Sequence, residues 1–341
     1  MGGGPLTGPA LTPGLVIERR LPPDFLASSL RKDAKAGLTA TPKSLPPKWF
    51  YDAAGSALFE KITELPEYYP TRAERAILRA EAGEIAAASR ARTLVELGSG
   101  SSDKTRLLLD ALRDAGTLAT YVPVDVSEAA LAGAGRRLAA EYPGLAVRAL
   151  VSDFEHDLGL PATEAGAAGD GHPRMIAFLG STIGNMLPPE RAGFLARLRA
   201  SLSPGDTLLL GTDLVKDPAM LVAAYDDPAG VTAAFNKNVL AVLNAELGAD
   251  FDLDAFDHVA LWDPRAEWIE MRLRSSLAQT VRLPAIGLTI GFEAGEEMRT
   301  EVSAKFRRDG VEAELAAAGF ALRSWWTDPG GLFGLSLSVP R

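Results

Sequence analysis

Between Thr93 and Lys104 the chain reads Thr-Leu-Val-Glu-Leu-Gly-Ser-Gly-Ser-Ser-Asp-Lys, and these residue types in this order suit a ligand loop. An apolar run closes on Glu96 and Leu97, Gly98 and Gly100 follow, and a polar turn opens a helical pattern. The glycines let the main chain approach a ligand closely and adopt angles that a Cβ would forbid. Ser102 or Asp103 is the expected cap of the following helix, with its apolar face at Leu107, Leu108 and Leu112. Two kinds of ligand use a Gly-x-Gly loop. A dinucleotide calls for a third glycine three positions on, where the backbone nears the pyrophosphate. Asp103 stands there, and its carboxylate would repel a pyrophosphate. A Glu-x-Gly-x-Gly loop without that glycine suits S-adenosylmethionine, which has no phosphates and carries a positive sulfonium. The methyl donor is the better match; a nicotinamide-dependent oxidoreductase is the alternative.

The surrounding pattern shows what would hold such a loop. Short apolar runs at 93–97, 121–126, 147–151, 175–179 and 207–211 alternate with helical patterns at 104–115, 128–141 and 190–201. That alternation predicts an α/β fold with a doubly wound parallel sheet. It breaks after Asp213. Residues 214–250 read as helices, with Phe235, Val239, Leu240 and Leu243 at helical spacing, and 257–292 read as long β segments. In 268–273, Ile269, Met271 and Leu273 alternate with charged residues, as in a half-buried antiparallel strand. A helix over about 304–318 and two closing strands, 321–326 and 335–339, complete the pattern. Residues 1–44 are rich in Pro and Gly and are expected to wrap the surface, with a short helix over 23–35. Residues 45–87 read as helical and aromatic-rich, and the Gly/Ala stretch 162–171 as a surface loop.

Composition narrows the chemistry. The 341 residues carry a net charge of −9, which disfavours a nucleic-acid partner, since phosphate binding calls for a basic face. There are no cysteines, so thiolate nucleophiles, disulfides and iron–sulfur clusters are excluded. His156, His172 and His258 are the only histidines and are not at metal-ligand spacing, so no metal is expected. No apolar run approaches the roughly 20 residues of a membrane span, and the first residues lack the pattern of a signal peptide. A cytoplasmic monomeric enzyme is the expectation.

A doubly wound sheet binds its ligand outside the carboxyl ends of its strands. Asp125 ends the second strand pattern, where a carboxylate accepts from ribose hydroxyls. Asp153 and Phe154 follow the third, where one can bond an adenine amino group and the other stack. Gly180-Ser-Thr-Ile-Gly-Asn185 follows the fourth and would face the methyl group.

With these residues the chain resembles the histidine-specific methyltransferases of ergothioneine biosynthesis. The matching stretches are Leu45-Pro-Pro-Lys-Trp-Phe-Tyr-Asp52, Leu65-Pro-Glu-Tyr-Tyr-Pro-Thr-Arg72, Glu96-Leu-Gly-Ser-Gly-Ser-Ser-Asp-Lys104 and Phe178-Leu-Gly-Ser-Thr-Ile-Gly-Asn185. Ala224-Tyr-Asp-Asp227, Phe235-Asn-Lys-Asn-Val-Leu240 and Thr300-Glu-Val-Ser303 extend the likeness to the C-terminal part. The resemblance implies a Rossmann-like class I methyltransferase sheet, residues 73–213 with 306–341, that binds S-adenosylmethionine. A second, α+β substrate-binding domain would comprise 1–72 and 214–305. It implies trimethylation of the α-amino group of L-histidine to hercynine. Donor-binding positions carry over onto Gly98, Lys104, Asp125, Asp153 and Phe154. Substrate positions carry over onto Tyr68, Asn185, Tyr225, Glu301 and Ser303, with Tyr51 and Met271 lining the same pocket; Asn185 and Tyr51 would aim the amine.

Each residue also has a plainer reading. Lys104 suits a solvated first-turn cation, Asn185 a helix cap before Leu-Pro-Pro, and Tyr68 and Tyr225 core or rim positions. Thr300 or Ser303 could cap the 304–318 helix while Glu301 supports its dipole, and Met271 suits the core. A tyrosine- or tryptophan-methylating relative and a non-catalytic protein of the same fold are the remaining alternatives.

Overall fold

A computed structural model of the chain describes residues 14–100, 102–154, 158 and 172–341. The 162–171 loop and His156 lie outside the described residues. Strand β1 (Leu15–Arg19) and helix α1 (Phe25–Thr39) come first, and a 3-10 turn, Pro47–Phe50, leads to α2 (Ala53–Glu64) and α3 (Pro70–Ser89). The alternating part follows as β2 (Thr93–Leu97), α4 (Arg106–Asp114), β3 (Thr120–Asp125), α5 (Glu128–Glu141) and β4 (Ala146–Val151). It continues with β5 (Arg174–Phe178), a 3-10 turn at Thr182–Asn185, α6 (Pro188–Ser201) and β6 (Thr207–Asp213). Then come α7 (Pro218–Ala223), α8 (Val231–Leu247), β7 (Phe256–Asp263), β8 (Trp268–Ser275), β9 (Gln279–Leu283) and β10 (Leu288–Phe292). The chain closes with β11 (Glu297–Ala304), α9 (Arg308–Ala317), β12 (Phe320–Thr327) and β13 (Phe333–Pro340).

The eight-stranded sheet has the order β1-β4-β3-β2-β5-β6-β13-β12. Strands β1 to β6 run parallel, and β13 lies antiparallel between β6 and β12. This is the expected doubly wound α/β class. Both faces are covered, which is why β2, β3 and β6 read as nearly continuous apolar runs. Leu108, Leu112, Ile77 and Leu131, from α4, α3 and α5, pack on one face. Phe194, Leu198 and Leu315, from α6 and α9, pack on the other with Phe178. The strand order reverses at β2, between β3 and β5, and the crevice there is where such sheets bind ligands.

A separate apolar core joins α1, α2 and α8 to the antiparallel sheet β11-β8-β7 and the hairpin β9-β10, through Leu38, Phe50, Ile62, Phe235, Val239, Leu243 and Met271. Local signals shape its helices: Asp52 caps α2 by accepting from the Gly55 amide at 2.7 Å, and Asn238 of α8 donates to that same carboxylate at 2.8 Å. The two parts meet along β11, whose end runs beside β6, with Leu214 bridged to Phe306.

Four expectations need correction. Residues 15–19 form the edge strand of the large sheet, in register with β4, where a surface wrap was expected. The cap position of α4 belongs to Thr105, not Ser102 or Asp103: Ser102 takes a left-handed φ of 57° and bonds the Tyr121 hydroxyl at 2.9 Å, while Asp103 pairs with Arg106. The buried face of that helix is Leu108, Leu109 and Leu112, with Leu107 only half-buried. The last helix begins at Arg308, because residues 297–304 are committed to β11.

Candidate active site

The residues carried over to the donor stand at or beyond the carboxyl ends of β2, β3 and β4. Gly98 leaves β2 with φ +67°, and a Cβ there would lie 3.5 Å from the Phe154 ring, so glycine keeps the space over β2 open. Phe154 is held by ring contacts to Phe178 at 5.4 Å and Phe194 at 6.2 Å. Asp125 accepts from the Gly100 amide at 3.2 Å and the Ser127 amide at 2.9 Å. Burial raises its pKa and those amides oppose the rise. Each carboxylate oxygen retains acceptor capacity, as a ribose diol requires. Asp153 is buried next to Phe154. Lys104 is not the solvated cation of the plain reading: its ammonium pairs with the fully buried Glu74, which also accepts from the Gly180 amide at 2.7 Å. The five residues carried over to the donor follow the ends of β2, β3 and β4, and the open backbone at Gly98 with the acceptor pair at Asp125 suits S-adenosylmethionine.

Glu96, the acidic residue of the loop, faces inward. Its carboxylate accepts from Thr105 and Tyr121, and burial outweighs those bonds to raise its pKa to about 7. It ties the end of β2 to the start of α4 and leaves the crevice to the backbone.

The residues carried over to the substrate come from elements far apart in sequence. Ring contacts run from Tyr51 to Phe59 at 5.6 Å, from Phe59 to Tyr68 at 6.1 Å and from Tyr68 to Tyr225 at 6.4 Å. Tyr51 is 44% exposed, yet the protein around its hydroxyl and then the Glu301 carboxylate raise its pKa. On β11, a register shift between Arg299 and Glu301 sets Glu301 directly opposite Met271 of β8, and Ser303 opposite Ile269. Met271 is buried beneath that face.

Asn185 does not cap α6. The Glu190 carboxylate accepts from the Leu187 amide at 2.7 Å at that helix start, and the Asn185 side chain lies near Glu301, whose pKa it lowers. Gly184 makes this possible, since a Cβ there would come within 2.9 Å of the Ala304 carbonyl and force the 182–185 turn off β11. Burial pushes the Glu301 carboxyl up to about 7, against the lowering by the Lys305 charge and the nearby Asn185. Thr300 donates to Asn236 at 2.6 Å within β11, so neither it nor Ser303 caps a helix. The seven residues carried over to the substrate are thus linked to one another through ring contacts, the Tyr225–Ser303 bond, the Glu301–Met271 pairing and the proximity of Asn185 and Tyr51 to Glu301.

Sequence reasoning passed over a buried polar network behind them. Asp213, at the end of β6, accepts from Tyr69 at 2.8 Å, Lys216 at 2.6 Å and Lys305 at 2.9 Å. Lys305 also donates to the Tyr225 hydroxyl and to Ser303 Oγ, each at 2.9 Å, and those two oxygens lie 2.7 Å apart. The signal for Asp213 was present, because it ends a strand as Asp125 does. A second missed group holds Tyr225 by its backbone: His258 Nε2 bonds the Tyr225 carbonyl at 2.8 Å, while Asn236 donates to His258 Nδ1 at 2.8 Å. Burial lowers the His258 pKa, in keeping with a neutral ring.

The family described as histidine-specific, SAM-dependent methyltransferase matches residues 30–340. The histidine N-alpha-methyltransferase of Mycolicibacterium smegmatis is 59% identical over 326 residues, 95% of this chain and 99% of that protein. The protein of the same name from Mycobacterium tuberculosis is 59% identical over 311 residues, covering 91% and 95%. Ergothioneine biosynthesis protein 1 of Neurospora crassa is 31% identical over 305 residues, 87% of this chain and 33% of that longer protein.

Proposed function

Because this chain belongs to the histidine-specific, S-adenosylmethionine-dependent methyltransferases, we propose that it trimethylates the α-amino group of L-histidine to hercynine, the first step of ergothioneine biosynthesis. The observation that carries this reading is Glu301, a half-buried carboxylate opposite Met271 whose pKa the nearby Asn185 lowers. A carboxylate so placed accepts a ring N–H, which an imidazole offers and a phenol does not.

S-adenosylmethionine supplies an electrophilic methyl group on a sulfonium. What the protein must add is a neutral amine aimed at that carbon, about 3 to 3.5 Å away and in line with the bond that breaks. Asp125 holds the ribose hydroxyls, Asp153 and Phe154 the adenine, and Lys104, steadied by Glu74, the donor's carboxylate. Asn185 and Tyr51 hold the amine, Tyr68 and Tyr225 the substrate carboxylate, and Glu301 with Ser303 the imidazole. Burial in this pocket disfavours an ammonium and lowers its pKa, so the amine gives up its proton without a strong base. Each of the first two transfers leaves an ammonium that sheds one proton before the next. The third leaves a quaternary nitrogen with none to lose. Asn185 and Tyr51 are few and adaptable contacts, which suits an amine that loses its N–H donors one by one.

The division of labour follows the chain. Residues 73–213 with 306–341 would bind the donor, and 1–72 with 214–305 the amino acid, apart from β1, which hydrogen-bonds into the large sheet. The experiment is an assay of S-adenosylhomocysteine release with histidine, tyrosine and tryptophan in parallel, with and without a chelator. Release with histidine alone, unchanged by the chelator, is expected; equal release with tyrosine or tryptophan would overturn the substrate assignment.

A further inference from the structure

We infer that Lys305 is a positioning residue for the amino-acid substrate: from behind the pocket wall it holds the Tyr225 hydroxyl, with Ser303 Oγ locked beside it, and supplies the charge that selects an α-carboxylate. The inference rests on the amino-acid methyltransferase reading above and adds a residue and a role to it.

The geometry is closed on three sides. The Lys305 side chain is 0% exposed and its three N–H bonds are all spent, on Asp213 Oδ2, the Tyr225 hydroxyl and Ser303 Oγ, each at 2.9 Å. An ammonium has no lone pair, so it fixes the polarity of every oxygen it touches. Tyr225 and Ser303 must each turn a lone pair toward Lys305, and their protons must point elsewhere. One proton lies in the 2.7 Å bond between the two oxygens. The other finds no acceptor among the described residues. A carboxylate arriving between Tyr225 and Tyr68 meets that proton, and can draw the shared one as well.

The charges point the same way. Asp213 is shared by two ammonium groups, Lys305 and Lys216, and by the neutral Tyr69 hydroxyl. Burial lowers the Lys216 pKa to about 8, and Asp328 acts on Lys216 beside Asp213, so Lys305 is the charge of this buried cluster that reaches Tyr225 and Ser303. Glu301 faces the same pocket with the opposite sign, and the Lys305 charge already lowers its pKa. The pocket thus has a cationic wall at Tyr225, backed by Lys305, and an anionic one at Glu301, the two signs that match what histidine presents: a carboxylate and a ring N–H. Lys305 touches no reacting atom, and Tyr225 and Ser303 stand between it and the ligand.

The test compares L-histidine with histamine, which keeps the ring and the amine and lacks the carboxylate. Binding of each is measured by calorimetry on the full chain, with S-adenosylhomocysteine present. Turnover of histidine by the wild-type protein is confirmed first; failure there counts against the proposed function and is distinct from the outcomes below. The wild type is expected to prefer histidine over histamine. Lys305→Met leaves Asp213 paired with Lys216 and Tyr69, and should weaken histidine binding about ten- to a hundredfold while histamine binding stays within about twofold. Lys305→Gln, which can still bond Asp213, is made alongside in case the apolar side chain does not fold there, and should show the same loss of preference. A purely structural lysine would weaken both ligands together. An unchanged preference in either folded variant, or a wild type that binds histamine as tightly as histidine, would overturn the inference.

Discussion

Asn185, at the end of the 3-10 turn after β5, lies close enough to the Glu301 carboxylate of β11 to lower its pKa, and so links the large sheet to the β11-β8-β7 sheet. The residue proposed to aim the amine and the residue proposed to read the ring are neighbours. Asn185→Ala should therefore act twice. Turnover should fall by about one to two orders of magnitude, the usual worth of one oriented hydrogen bond in a transition state. The Glu301 pKa should rise above about 7, because the Asn185 side chain lowers it. A kcat against pH profile for wild type and variant reads both quantities.

Glu301→Ala removes the only carboxylate in the proposed ring-contacting pair. Histidine should lose roughly 1.5–3 kcal/mol of binding, and with it about one to two orders of magnitude in activity. Shortening Met271 in the same protein should admit a bulkier aromatic amino acid, since Met271 lies directly opposite. The rival idea, that Glu301 supports a helix start, predicts a lower melting temperature with unchanged selectivity. The strand position of Glu301, well ahead of Arg308, already speaks against it. Measuring melting temperature and substrate selectivity on the single variant separates the two.

Acidity gives a third expectation. Burial raises the Glu301 carboxyl from 4.5 to about 7, so below that pH it is neutral and no stronger an acceptor than an amide. The ratio of kcat/KM for wild type over Glu301→Gln should be near one in acid and grow as pH rises through about 7. Tyr51, Tyr68, Tyr225 and Lys305 surround the group, and the ratio cancels what they contribute to both proteins. Stability without ligand should run the other way. A carboxyl whose folded pKa is raised binds its proton more tightly when folded, so its contribution is full below about 4.5 and is lost as pH rises through about 7. Glu301→Gln should flatten that part of the melting-temperature profile, and an unchanged slope would contradict the assignment.

On the donor side, Asp125→Ala should weaken S-adenosylmethionine binding by about 1.5–3 kcal/mol, the range for a hydrogen bond to a charged group. Part of the loss would come through Gly100, whose amide Asp125 holds at 3.2 Å. Calorimetry showing unchanged affinity in a folded variant would leave Asp125 as a loop brace alone.

What could be seen in the sequence depended on how locally each residue's environment is determined. Strands β2 to β6 were legible because burial on both faces makes them apolar runs between helical patterns. Strand β1 was not, since only Leu15 of Leu15–Arg19 is buried and the flanking prolines and glycines suggest coil. The helix expected from 304 begins later because Val302 to Phe306 are all buried, a pattern that suits strand and helix equally until the partner strand is known. Motif resemblance named Tyr68, Asn185, Tyr225, Glu301 and Ser303, and the structure brings them together. It did not reach Lys305 or Asp213. A lone lysine after a short alternation reads as a solvated cation, and its burial is decided by a carboxylate on a different strand of a different sheet.

The most direct measurement is position-resolved analysis of the product formed from L-histidine and excess S-adenosylmethionine, by mass spectrometry and nuclear magnetic resonance. The account predicts stepwise addition of three methyl groups, all on the α-nitrogen, ending in a product with no N–H left at that atom. A methyl group on a ring nitrogen would mean that Glu301 and Asn185 hold the substrate the other way round, and would contradict the account at its centre.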